Sequence, residues 1–412
     1  MKLVEQHIIK SNHKHYKELD KLCFLSKNLY NASLYVIRQH FFQHQNDKEN
    51  RYLNYYALNK LFKESNQNDY RLLPANTAQE VLKLVSNNFK SFFSLLSSKR
   101  NKTYNKRISI PKYLNKKTGR QIVVYNHMTL SSNLLKNGII KLPKTYIEFK
   151  TKQSNIKQVR LIPKNNYIVL EVVYEIQEEK LKLDNKRYMS IDLGINNLAS
   201  CSSNVIKSFI INGKPIKSIN QFYNKRLSKL QSELYLKHKK YTSKNISNLT
   251  LKRNNKIKYY FHKASKYIVN QLVNNSINTL IIGYNKEWKQ ETNIGKKNNQ
   301  KFVQIPYLMF INLLSYKSKM KGINVIIQEE SYTSKISFFD NEFIPTYKLN
   351  NDKFNSIGKR IKRGLFKGSN ILINADINGS LNIMRKYLKV ASDEIISPTC
   401  RGFVVNPVKI SF

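Results

Sequence analysis

The chain has 412 residues, 41% of them hydrophobic, and carries 72 Lys and Arg against 26 Asp and Glu, a net charge of +46. It is too long for one simple core, so two or more packed units are expected. A surplus of that size repels itself in a compact state unless a polyanion relieves it, which points to a nucleic-acid partner rather than an anionic membrane. No run approaches the ~18 apolar residues of a spanning helix. The start, MKLVEQHIIKSNHKHYK, lacks the apolar core of a signal peptide. Cys23, Cys201 and Cys400 form neither a disulfide framework nor a CxxC site. A cytoplasmic, reduced protein is expected.

In chain order, residues 16–42 carry Leu22, Leu25, Leu29, Ala32 and Val36 at spacings of three and four, which predicts an amphipathic helix. Residues 78–97 repeat the pattern with Val81, Val85, Phe89, Phe92 and Leu96. With the tyrosine-rich RYLNYYALNKLF between them, residues 12–103 are expected to form a basic helical unit whose aromatics pack in its core rather than stack on bases. The helical period breaks near 103–125. QVRLIPKNNYIVLEVVYEI (158–176) predicts two strands around a Lys164-Asn165-Asn166 turn, so residues 104–183 are expected to be β-rich, with 1–11 as a further strand. After the polar link KLKLDNKR come three short strands, RYMSIDLGI, NLASCSS and KSFIING. Basic helical stretches follow, FYNKRLSKLQSELYLKHKKY and KIKYYFHKASKYIVNQLV, and then the strand NTLIIGY. The helix PYLMFINLLSYKSKMKG has Pro306 at its start and Gly322 just past its end. The strand INVIIQEE and the amphipathic helix in ADINGSLNIMRKYL complete the order.

Three hairpin-linked strands followed by alternating helices and strands is the order of an RNase H-like α/β fold, whose first strand carries an aspartate facing the cleft at the sheet's centre. Asp192 in SIDLGIN stands there; the alternative is a strand-end aspartate capping a turn. INVIIQEE ends in Glu329 and Glu330, and Asp376 sits at a helix start with Asn378 and Asn382 nearby. Taken singly, these read as a solvated strand end and a helix N-terminal charge. Jointly, three carboxylates from the ends of separate elements suit two Mg²⁺ or Mn²⁺ ions bridged by a scissile phosphate. No His or Cys cluster suggests zinc.

The segments IDLGINNLA, KSINQFYNKR, LIIGYNKEWKQ, NNQKFVQIP, EESYTSK, GKRIKRGLF and INADINGSLNIMRK, in this order, resemble the TnpB family of insertion-sequence proteins. The resemblance covers residues ~185–390 and extends more loosely to LSKNLYNASLYVIRQ and PANTAQEVL. It implies an RNA-guided DNA endonuclease related to type V CRISPR effectors and Fanzor, encoded by a transposable element and often called a transposase. The implied fold is an α+β multidomain one: a first wedge strand at 1–11, a helical recognition lobe at 12–103, a β-rich wedge domain at 104–183, a RuvC nuclease domain at 187–390 and a tail at 391–412. Guide RNA and target DNA are the implied partners, and no membrane is expected.

Two departures from the family stand out. Many relatives end the strand matching NTLIIGY in a glutamate, where this chain has Gly283. A relocated glutamate is expected instead: Glu330 first, Glu329 as fallback, with Glu287 and Glu291 weaker candidates. Where a zinc knuckle follows YTS in relatives, this chain puts Ser337 and Asp340, and no cysteine lies in 335–371, so zinc is not expected. Asp192, Glu330 and Asp376 are then the implied catalytic metal ligands. Candidate phosphate contacts are Lys217, Lys225, Arg226, Lys263, Lys289, Lys335, Arg360 and Arg363, while Trp288 is read as a base-stacking or core residue. A catalytically inactive guided repressor and a DNA-joining transposase are the rival readings.

Overall fold

The computed structural model describes residues 1–44, 46–47, 51–285, 295–346, 356–362, 364–397 and 401–412. Two compact units emerge, Met1–Ile176 and Gln177–Phe412.

In the first unit, β1 (Lys2–Lys10) is followed by the helices α1 (Tyr16–Gln43), α2 (Tyr55–Glu64), α3 (Asn68–Leu72) and α4 (Ala75–Arg100). Then come β2 (Val123–Asn126), the short helix α5 (Ser132–Lys136), the small pair β3 (Ile139–Lys141) and β4 (Glu148–Lys150), and the hairpin of β5 (Ile156–Lys164) and β6 (Tyr167–Glu175). The hairpin turns at Asn165-Asn166, as the alternation around those polar residues predicts, with Lys164 paired to Tyr167. β1 runs antiparallel along the whole of β6, so the sheet order is β1-β6-β5-β2. Leu29, Leu34, Phe89, Val159 and Leu170 share one core. Most aromatics of the helical stretch enter that core: Phe62, Tyr70 and Phe89 are buried, although Tyr56 stays exposed.

The second unit is built on a six-stranded sheet of order β11-β10-β7-β8-β9-β15. β7 (Tyr188–Leu193), β8 (Asn197–Ser203) and β9 (Phe209–Asn212) are antiparallel neighbours. The long helices α6 (Lys214–His238) and α7 (Lys244–Asn274) lead to β10 (Thr279–Gly283), parallel to β7. α8 (Lys296–Val303) and α9 (Tyr307–Lys319) then cross over to β11 (Asn324–Gln328), parallel to β10. β11 is shorter than INVIIQEE predicts, and Glu329 and Glu330 lie just past its end. A small sheet of β12 (Lys359–Lys362), β13 (Leu365–Lys367) and β14 (Leu372–Asn374) precedes α10 (Ala375–Leu388). In the tail, β15 (Val408–Ile410) pairs with β9 and closes one sheet edge.

Strand alternation sorts the two faces. Met189, Ile191, Leu280 and Ile282 pack with Phe261, Ile268 and Phe310 of α7 and α9. Ile281 points the other way, into a core with Ile377, Leu381, Ile383 and Met384 of α10. The fold is α+β, with an RNase H-like α/β sheet in the second unit. Among the described residues, no helix is long and apolar enough to cross a membrane.

Candidate active site

Asp192 is the penultimate residue of β7. Alternation that buries Met189, Ile191 and Leu193 on the α7 side sends Ser190 and Asp192 to the α10 side. There Ser190 Oγ donates to the Ser380 carbonyl at 2.7 Å. On α10, Asp376, Gly379, Ser380 and Ile383 recur at three, four and seven, the spacing of one helix face. Gly379 is the point of closest approach: a Cβ there would stand 2.7 Å from Asp192 Oδ2. Only a residue without a side chain lets the helix pass this close to the carboxylate.

Gly283 answers the same problem on the neighbouring strand. The β10–β7 ladder pairs Ile282 with Ile191, so Gly283 comes next to Asp192; on its other side Gly283 pairs with Gln328. Two residues beyond Gln328, Glu330 folds back over the glycine. A Cβ at position 283 would lie 2.5 Å from Glu330 Oε2 and would also collide with Ile383 Cδ1. The carboxylate of Glu330 therefore fills the room that a side chain at 283 would take. Its backbone is held by the Asn285 side chain, whose Oδ1 accepts from Glu330 N at 3.1 Å.

The electrostatics follow from this crowding. Asp192 is held well above the usual carboxylate range, first by burial and then by the charges of Glu330 and Asp376, against the opposing pull of Arg360. Glu330 is pushed up to about 7 by burial and by the neighbouring Glu329, with Lys386 working the other way. Among the described residues its buried Oε2 has no hydrogen-bond partner. Burial also raises the Tyr307 hydroxyl, helped by the charges of Asp192 and Glu330.

Glu329 has a different fate. Burial opposes its ionisation, but hydrogen bonds from Lys386 and Ser331 outweigh that and hold it below the usual range. Lys386 Nζ donates to Glu329 Oε2 and also to the carbonyls of Ser331 and Pro345, at 3.1 and 3.0 Å. Glu329 is spent on an ion pair; Glu330 faces Asp192.

Asp376 is half-buried and oriented on both oxygens. Asn197 Nδ2 donates to Oδ2 at 2.6 Å, and Arg360 Nη2 to Oδ1 at 3.0 Å. Asn374 caps α10 by accepting from Asp376 N at 3.1 Å. Asn378 and Asn382 do not join the carboxylates. They fasten the segment after Glu330 to α10: Asn378 Nδ2 donates to the Ile336 carbonyl at 2.6 Å and Asn382 Nδ2 to that of Thr333 at 2.9 Å.

The loop matching the knuckle is organised by carboxylates. Glu342 accepts from Ser337 N at 2.7 Å and Ile357 N at 2.6 Å, and Asp340 Oδ2 accepts from Ser369 N at 3.0 Å. Of the predicted phosphate contacts, Lys225, Arg226, Lys263 and Lys335 are exposed, Lys217 is half-buried, and Arg360 is engaged with Asp376. Glu287, Trp288, Lys289, Glu291 and Arg363 lie outside the described residues.

Among the described residues, no three His, Cys, Asp or Glu side chains converge closely enough to hold a metal ion as they stand, with Asp376 turned onto Asn197 and Arg360. The donor set nevertheless fits a hard divalent cation. Among the described residues nothing satisfies the buried Glu330 Oε2, Asp192 and Glu330 are raised first by burial and then by neighbouring carboxylates, and all the donors are carboxylate oxygens. The positioning residues Asn197, Gly379 and Lys386 are legible from sequence only through weak signals, the NN pair after IDLG and the small residue three places after Asp376.

Residues 171–289 match the model of a probable transposase family, OrfB_IS605, and residues 307–383 match the Cas12f1-like TNB domain. Over those residues the chain is similar to the TnpB-type probable transposases. The first match contains Asp192 and Gly283, the second Glu330 and Asp376. The chain is similar in fold to a Cas12f1 in complex with sgRNA and target DNA, with a TM-score of 0.51 and 14% identity over 89% of this chain and 81% of that one. The mini-RNA-guided endonuclease Cas-phi3 aligns at a TM-score of 0.45 and 11% identity, over 93% and 92%. No curated protein matches in sequence.

Proposed function

We propose that this TnpB-like chain is an RNA-guided DNA endonuclease whose carboxylates, Asp192, Glu330 and Asp376, hold Mg²⁺ or Mn²⁺. The observation that carries it is the fit of Glu330 into the space above Gly283, with a buried, unsatisfied oxygen beside Asp192. A chain that had lost its third carboxylate and its cutting would have no reason to bury another in the same spot at the cost of raising two acids. Divalent cations bound there supply positive charge at the attacking and leaving oxygens of a phosphodiester. The chain's own residues do the rest. Asp192 and Glu330 provide the anionic floor, and Gly379 and Gly283 give their carboxylates room. Asn197 and Arg360 set the direction of Asp376, and Arg360 is free to turn from it to a phosphate. Lys386 keeps Glu329 out of the cleft. Exposed Lys225, Arg226, Lys263 and Lys335 hold nucleic-acid backbone, while base pairing with the guide reads most of the target.

The test compares Glu330→Gln with Glu329→Gln in protein purified with its own RNA. Glutamine keeps the volume and removes the charge. Glu330→Gln should bind target and not cut; Glu329→Gln should cut nearly as wild type. The reverse pattern moves the role to Glu329. Wild type that binds its target and never cuts with Mg²⁺ would replace this reading with the guided repressor.

A further inference from the structure

The motif segments at 217–226 and 298–306 supply none of the carboxylates. They meet instead in a cavity of about 180 Å³ beside the β7–β8 turn, to which they contribute every described lining residue except Ile195. We propose that this cavity binds a single unpaired nucleobase of the strand lying in the carboxylate cleft, one or two nucleotides from the scissile phosphate. The identity of that strand rests on the nuclease reading; the pocket's chemistry does not.

Among the described residues the lining is amide-rich and has no carboxylate. Asn220, Gln221, Asn224, Gln300 and Gln304 surround it, with one ammonium, Lys217, and two apolar surfaces, Ile195 and Ile305. A side-chain amide offers a donor and an acceptor in one plane, the pattern that base edges present, and aliphatic faces suit the flat of a ring. Among the described lining residues a phosphate would meet a single cation, and an ammonium or peptide amine no acid.

The amides are also pre-set. Asn224 and Gln304 bond reciprocally at 3.0 and 2.8 Å, making a fixed planar plate. Arg253 ties Gln304 to Asn220, donating from Nη2 to the Gln304 backbone carbonyl at 2.7 Å and from Nε to Asn220 Oδ1 at 2.8 Å. With its oxygen taken by Arg253, Asn220 offers its NH₂ to the cavity. Gln221 and Gln300 are exposed and adaptable at the mouth. Ordering cost is thereby small for the plate and confined to the rim.

The link to the cleft is one turn of chain. Ile195 lines the cavity, and Asn197, two residues on, holds Asp376. Even fully extended at about 3.3 Å per residue that separation is at most roughly 7 Å, a step that a neighbouring nucleotide can span. Lys217 Nζ donates to Asn196 Oδ1 at 3.4 Å, bracing the same turn from the cavity side.

The experiment uses the full chain with its RNA, carrying Asp192→Ala so that nothing is cut. Single-stranded target oligonucleotides carry 2-aminopurine at one position at a time, and fluorescence and anisotropy are read together. The expected result is a change in emission of at least twofold at one position and little at its neighbours. An abasic site at that position should weaken binding about tenfold. Gln221→Phe, which fills the mouth from an exposed position and leaves the plate intact, should abolish the position signal while affinity for the abasic oligonucleotide stays within about threefold. A flat walk in a chain that binds the oligonucleotides, or a signal that survives Gln221→Phe, would overturn the pocket. Because no step reads cutting, a wild type that fails to cut would overturn the nuclease reading alone.

Discussion

Gly283→Ala isolates the relation between the glycine and Glu330. The added Cβ would stand 2.5 Å from Glu330 Oε2 and against Ile383 Cδ1, both ends of flexible side chains. Rotation can relieve each clash at about 0.5–1.5 kcal/mol, so the stability loss should fall near the low end of overpacking, about 1–2 kcal/mol. The chemical cost should be larger. Moving a ligand carboxylate by about 1 Å costs on the order of 10²-fold in rate, which is about 2.7 kcal/mol of transition-state energy. Ile383→Val separates the two effects, since it removes Cδ1 at a cost of about 0.5–1.5 kcal/mol. The double variant should recover most of the stability lost on adding the Cβ, a non-additivity expected of touching residues. It should recover none of the cutting, because the Cβ still presses on Glu330. Stability is read by chemical denaturation, followed in the second unit, and cutting by single-turnover assays with the chain's own RNA. Gly283→Ala that is folded and cuts at the wild-type rate would refute the idea that Glu330 acts from the space above the glycine.

Mg²⁺ should stabilise the second unit against heat: at a hundred times its Kd the gain is about 2.7 kcal/mol, or several degrees for a unit of this size. Asp192→Ala should abolish that shift, and an equal shift in the variant would place the cation elsewhere. Nucleic-acid affinity should fall by roughly 10³–10⁵ between 50 and 200 mM salt if ~10 phosphates are neutralised, as the +46 charge implies; a flat response would contradict the charge reading. Elemental analysis should find no tightly bound zinc, because Asp340 and Glu342 organise the loop where cysteines are absent; one zinc per chain would refute this.

By itself the sequence determined the main helices and the β5–β6 hairpin, and it marked the acids as candidates. Helical spacing in 16–42 and 78–97, the Asn165-Asn166 hairpin and the three strands after KLKLDNKR are local patterns, readable because period and turn chemistry act over a few residues. The scarcity of acids in a chain at +46 drew attention to Asp192, Glu330 and Asp376. Only tertiary structure gives Glu329 and Glu330 different surroundings. The two are adjacent in sequence and chemically identical, and β11 ends before both, so strand alternation does not choose. The difference comes from Lys386, 57 residues from Glu329 along the chain, and from Gly283, which comes beside Asp192 only once β7 and β10 pair. Arg360 and Asn197 converge on Asp376 for the same reason. A contact between distant residues depends on how the sheet closes and leaves no periodic trace in the chain, whereas an apolar stripe or a turn does.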